Sequence, residues 1–164
     1  MTEDTLLVDD FNDGVDPNNL GGFIFTYAHK GASCTAVYYP LEDNSSSRGP
    51  YCLEISWRIP IGSDAGCGFN TRVLNIEIAN YLTFSFKSRS SLKGIQLAIK
   101  DMNGNEIKKP LINYISSDNQ WQEASVPLSN YKGLDCKRIS AVTLIFRPHS
   151  PSGKLYIDNI KFKQ

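Results

Sequence analysis

The chain has 164 residues, 41% of them hydrophobic and 21% charged, with 17 basic and 17 acidic side chains and a formal net charge of zero. Those are globular values: they predict one domain over 1–164, with 1–5 as a loose N-terminal extension, and exclude a disordered chain. Zero net charge argues against a nucleic-acid binder held by bulk positive charge, and no apolar run approaches the ~20 residues of a membrane-spanning helix.

The dominant hydrophobic period is two, the period of a strand. Leu6 to Phe11 reads as a first strand, and Gly21 to Tyr27 as a second, with Phe23, Phe25, Tyr27 and His29 on one face. Thr35 to Leu41 is β-branched and aromatic. Cys52 to Ile59 alternates cleanly, with Leu53, Ile55, Trp57 and Ile59 opposite Glu54, Ser56 and Arg58. Phe69 to Ile78 follows as a bulged candidate. Tyr81 to Arg89 and Ile95 to Asp101 each put apolar residues inward, leaving Thr83, Ser85, Lys87, Gln96 and Lys100 outward. Asn103-Gly104 predicts a tight type I′ hairpin turn, in which both central residues need positive φ. Leu111 to Ile115, Gln122 to Leu128, Ile139 to Arg147 and Leu155 to Phe162 complete the set, with Thr143 and Arg147 outward. The longer loops fall at 12–20 and 43–50, and no segment holds a convincing amphipathic helix. Regular short strands separated by turn residues predict an all-β protein, a β-sandwich jelly roll of two antiparallel sheets.

Charge is uneven along the chain. Residues 1–82 carry eleven acids and four bases, and the remainder six acids and thirteen bases. The stretch 1–29 holds six acids and no base, a cluster that needs water or a cation. In the last strand the inward set changes parity, from Leu155 and Ile157 to Ile160 and Phe162, so a bulge is required at Asp158-Asn159. A bulge turns a carboxylate and backbone carbonyls toward one point. With Asp9, Asp10 and Asn12 at the end of the first strand, Asp158 forms a candidate Ca²⁺ site of hard oxygen ligands joining the chain's two ends. The cysteines Cys34, Cys52, Cys67 and Cys136 form no CxxC pair, and both disulfides and free thiols remain open. There is no GxSxG elbow, HExxH pair or phosphate loop, and the acids lie mostly in loops or at strand ends, so the chain reads as no enzyme.

The opening LLVDDFNDG…NNLGG, the stretch NYLTFSFKSRSSLKGIQLAIKD, the Trp121-led WQEASVPLSNY and the close SAVTLIFRPHSPSGKLYIDNIKF together resemble carbohydrate-binding modules of the galactose-binding-like β-jelly-roll type. The nearest likeness is to the family 11 modules of bacterial glucanases. A domain of a complex I assembly factor shares the wider pattern. The resemblance implies structural calcium and a β-glucan chain bound along a concave sheet. Asp158 matches the family's Asp, whereas Asn12 stands where those modules usually have Glu. The family's sugar-contacting tyrosine falls at Arg147, and an acid earlier on that strand at Ala141.

The function expected is a non-catalytic polysaccharide-binding module of a larger, secreted enzyme or surface protein, with covalently linked catalytic or surface domains. The alternative is a protein-interaction domain of the same fold. No signal peptide is expected at Met1-Thr2-Glu3-Asp4. The candidate sugar contacts are Phe23, Phe25, Tyr27, Phe69, Arg72, Gln96, Lys100, Arg147 and His149. Aromatic faces suit the apolar C–H surface of a pyranose, and charged or amide groups its hydroxyls. Phe23, Phe25 and Tyr27 read equally as a core row. If Lys87, Lys100 and Arg147 share the concave sheet, they form a basic lane that favours an acidic polysaccharide over neutral β-glucan.

Overall fold

The computed structural model describes residues 5–41, 49–149 and 151–164. Among them are eleven strands: β1 (Thr5–Asp9), β2 (Ile24–His29), β3 (Ser33–Pro40), β4 (Tyr51–Arg58), β5 (Asp64–Leu74), β6 (Tyr81–Ser88), β7 (Gln96–Asp101), β8 (Glu106–Pro110), β9 (Gln122–Pro127), β10 (Ile139–Phe146) and β11 (Ser152–Lys163). Two 3₁₀ turns, Leu111–Asn113 and Leu128–Tyr131, are the helical segments among the described residues, and neither could cross a membrane.

The strands form two antiparallel sheets, a jelly-roll sandwich as the alternation predicts. One has the order β3-β4-β11-β6-β9, with β1 also on β11, and the other β2-β5-β10-β7-β8. Their inner faces interlock. Leu53, Ile55 and Trp57 of β4, Leu82, Phe84 and Phe86 of β6, and Leu155 and Ile157 of β11 meet Cys67 and Phe69 of β5, Leu97 and Ile99 of β7, and Val142, Leu144 and Phe146 of β10. Trp57 stacks on Phe146 across the sandwich, ring centres 4.5 Å apart. Each fully buried Leu, Ile or Phe contributes about 1.5–3 kcal/mol, so this layer dominates stability.

Chain ends meet as expected: β1 pairs with β11, and the ladder slips between Asp158 and Lys161 where Asn159 takes φ +50°. The four cysteines are free thiols, Cys52 and Cys67 buried, Cys34 half-buried and Cys136 exposed.

Three local expectations are corrected. The turn at Asn103-Gly104 is not type I′, since only Gly104 has positive φ. Asp101 shapes it instead, its carboxylate accepting from the backbone N–H of Asn103 and Asn105 and from the Asn105 amide. The same carboxylate accepts from Asp135 N–H at 2.8 Å, which ties the 132–138 loop to the hairpin. The strand after this turn is β8, not Leu111–Ile115, where the chain makes a 3₁₀ turn. Edge strand β8 is mostly charged, which protects a sheet edge but erases the hydrophobic signal. Finally, β5 starts at Asp64 rather than Phe69, because Gly66 and Gly68 weaken the strand pattern. Most of the expected 43–50 loop lies outside the described residues.

Candidate functional site

The outer face of the five-stranded sheet gathers most of the predicted contacts. On β2, Ile24 packs inward, so Phe25, Tyr27 and His29 point out. Phe23, just before the strand, is 61% exposed and Phe25 37%. The row is therefore surface, not core. Its partner strand explains the shape. On β5 the alternation sends Ala65, Cys67 and Phe69 inward and Gly66, Gly68 and Asn70 outward. Register sets Phe25 opposite Gly68 and Tyr27 opposite Gly66. A Cβ on Gly66 would strike the Tyr27 ring, and one on Gly68 the Phe25 ring. The two rings lie down over the glycines and form a platform. At ~3.4 Å per residue, the row from Phe23 to Tyr27 is about 14 Å long.

The rows continue across the sheet. Gly68 leads to Thr143, Ala98 and Lys108, and Gly66 to Ile145, Gln96 and Pro110. Asn70 leads to Ala141, Lys100 and Glu106. The central row, Thr143 and Ala98, is small, Gln96 and Lys100 flank it, and the far strand carries Glu106 and Lys108. Thr143 points outward as expected but is buried, because the rings lean in from the edge strand. Polar groups fix the rim: Arg147 Nε donates to Gln96 Oε1 at 3.1 Å, Glu106 pairs with Lys108 at 3.4 Å, and His29 meets Asp64 at 3.2 Å. Burial pushes the Tyr27 phenol up to about 12, with Asp64 and Glu106 adding to the rise and Arg147 opposing it. The phenol stays a neutral donor at physiological pH.

The structure thus brings together Phe23, Phe25, Tyr27, Gln96, Lys100 and Arg147. His149 is exposed in the turn after β10, past Arg147. Two predicted contacts fail. Phe69 is buried, its ring 5.9 Å from that of Phe11, because strand parity turns it into the core. Arg72 stands beyond the face, at φ +59°, with its side chain over Gly21. The basic lane also fails: Lys87 lies on β6, in the other sheet, so it cannot join Lys100 and Arg147. Thr83, expected to be solvent-facing, is fully buried beside the bulge. Gly66, Gly68 and Lys108 were missed. The two-residue spacing of the glycines, opposite an aromatic row of the same spacing, was the available signal.

The second candidate region lies where β1 meets the bulge of β11. Asp9 is buried, and its Oδ1 accepts from Phe11 N–H at 2.8 Å while its Oδ2 has no hydrogen-bond partner among the described residues. Burial, reinforced by Asp13, Asp10 and Asp16, pushes its carboxyl up to about 7. Asp158, also buried, sits two residues from Ile160, the strand partner of Asp9. Asp10 Oδ1 accepts from Asn12 N–H at 3.1 Å. Among the described residues no three His, Cys, Asp or Glu side chains form a metal cluster by themselves.

Residues 54–164 match the family model for carbohydrate binding domain 30. No curated protein matches the sequence. Among solved structures, the chain is similar to a family 11 carbohydrate-binding module from Clostridium thermocellum in complex with a β-1,3-1,4-mixed-linked tetrasaccharide, with TM-score 0.72, 20% identity, and coverage of 96% of this chain and 94% of that one. It is also similar to the family 30 module of the cellulosomal cellulase Cel9D-Cel44B of Clostridium thermocellum, with TM-score 0.67, 12% identity and 96% of each chain covered. A β-1,2-glucanase from Parabacteroides distasonis matches with TM-score 0.68 and 16% identity over 85% of this chain and 22% of its own.

Proposed function

This chain belongs to the carbohydrate binding domain 30 family, and from that premise we propose that it holds a neutral β-glucan chain on the outer face of the five-stranded sheet. The observation that carries this reading is the Phe25–Tyr27 platform seated on Gly68 and Gly66. Sugar rings stack their C–H faces on the phenyl and phenol rings, and hydroxyls bond to the Arg147–Gln96 pair, Lys100 and the Glu106–Lys108 pair. Lys108 is matched by Glu106 on this face, and Lys87 is absent from it, which removes the reason to expect an acidic polymer here. The similar family 11 module, solved with a mixed-linked tetrasaccharide, supports the choice of glucan.

On this reading the module works outside the cell, joined to a catalytic or surface domain. Holding that domain near its polymer raises effective concentration without new chemistry. The glucanase that matches over only part of its length supports such an arrangement. Affinity electrophoresis in mixed-linked β-glucan tests it: retardation is expected, and it should disappear in Phe25→Ala/Tyr27→Ala. Equal migration with and without glucan would overturn it.

Calcium belongs to the same proposal. Asp9 and Asp158, helped by Asn12 and Asp10, would hold the ion, which would neutralise buried carboxylates and tie β1 to β11. The Oδ2 of Asp9, with no hydrogen-bond partner among the described residues, fits a hard cation. The ion would bind only the folded state, so the melting temperature should rise with added Ca²⁺ and fall with chelator.

A further inference from the structure

The six-stranded sheet has its own outward side chains, and they converge on a cavity of about 350 Å³. Tyr39 of β3 and Tyr156 of β11 stand side by side, ring centres 5.1 Å apart. Trp121, just before β9, closes another side, and Lys87, Arg89 and Lys154 line the rest. Lys154 is engaged by Glu54 at 3.4 Å, and Tyr156 shares that carboxylate. Burial and Glu54 push the Tyr156 phenol up to about 12, so it adds no negative charge at neutral pH. Among the described residues no carboxylate lies within ion-pair distance of Lys87 or Arg89.

We propose that this cavity is a second sugar site, specific for an acidic unit: a pyranose ring bearing a carboxylate. Three aromatic side chains supply flat apolar surface for the ring. Lys87 and Arg89 supply charge that a neutral sugar would leave unmatched, and a guanidinium suits a carboxylate in particular. The volume is at the small end of the ~300–1,000 Å³ of ligand pockets, room for one unit rather than an extended chain. The site lies on the opposite sheet from the glucan platform and does not depend on it.

Of the two tryptophans, Trp57 is buried against Phe146, so a change in indole emission on binding reports Trp121. Titration of the intact chain with trigalacturonate should give a saturable change in emission. The affinity should weaken as salt rises from about 50 to about 500 mM, because the charges are partly exposed. Lys87→Gln/Arg89→Gln should weaken it roughly tenfold or more, and Lys87→Gln alone several-fold. Phe25→Ala/Tyr27→Ala should leave it intact, which separates this site from the platform. The neutral mixed-linked tetrasaccharide should give no such change. No saturable signal with trigalacturonate overturns the proposal. So does an equal signal with the neutral sugar, or wild-type affinity in a folded Lys87→Gln/Arg89→Gln protein.

Discussion

The outer faces of the two sheets use similar residue types and arrive at opposite shapes. On the five-stranded sheet, outward positions beside the aromatic row are Gly66 and Gly68, so Phe25 and Tyr27 lie flat. On the six-stranded sheet the strand between Tyr39 and Tyr156 sets the small Cys52 opposite Tyr39 and Glu54 opposite Tyr156, and Glu54 bonds the Tyr156 phenol. There the two rings meet across the strand between them, centres 5.1 Å apart, and line a cavity. An aromatic residue on a strand therefore does not fix the kind of surface; the side chain on the neighbouring strand does. A platform suits a polymer passing over it, and a cavity suits a unit entering it.

The largest effect expected is on the platform itself. Phe25→Ala/Tyr27→Ala should cost roughly a hundredfold in glucan affinity, about 2.7 kcal/mol, measured by calorimetry with the mixed-linked tetrasaccharide. An unchanged affinity would move the glucan site off this face.

Gly68→Val sharpens the contrast, because it gives β5 the kind of outward side chain that β4 has. The Phe25 ring must rise, at the ~1–3 kcal/mol typical of overpacking. Glucan affinity and melting temperature should both fall, with each kcal/mol moving the midpoint about 2–4 °C in a chain of this size. If affinity survives with the ring displaced, flatness is not what the ligand reads.

Asp9→Asn tests whether the two ends are joined by an ion. The variant should lose the thermal response to Ca²⁺ that the wild type shows. With chelator present it should instead match or exceed the wild type, because a buried charge has been removed. A wild-type Ca²⁺ response in Asp9→Asn would sink the assignment of this carboxylate.

Asp101 positions the β7–β8 edge that faces the platform. Asp135 N–H foremost, then the Asn105 and Asn103 donors, hold its carboxyl below the usual range. A depressed folded value stabilises above the unfolded value and is lost as pH falls through the folded one. Asp101→Asn should therefore melt lower than wild type at neutral pH, and the gap should close below about pH 4. Thermal melts of both proteins across that range decide it.

The smallest effect belongs to Arg147→Ala. The side chain is exposed and bonded to Gln96, so the fold should be unchanged and glucan affinity reduced only a few-fold. Glucan binding on the platform should depend only slightly on salt and trigalacturonate binding at the cavity markedly, a difference that calorimetry at two ionic strengths reads directly.

Much of the fold was legible because period two is local. Leu53, Ile55 and Trp57, or Leu82, Phe84 and Phe86, announce an inner face without reference to anything distant. The bulge at Asp158-Asn159 was legible for the same reason, as a change of parity within one strand. Strand β8 was not, because an edge strand needs little apolar surface and shows little. Phe69 was misassigned because Gly66 and Gly68 hid the start of β5, and with it the parity that sends Phe69 inward.

Sequence alone determined two antiparallel sheets, the meeting of first and last strands, and, outside β5 and β8, which residues of a strand share a face. It could not say which strands share a sheet. Lys87, Lys100 and Arg147 are all outward by alternation, yet the order β6 in one sheet and β7 and β10 in the other puts Lys87 on the opposite side of the molecule. That partition, and the register placing two rings on two glycines, rest on pairings between residues some forty positions apart. Alternation carries no information at that range, because it fixes direction within a strand and not the identity of its neighbour.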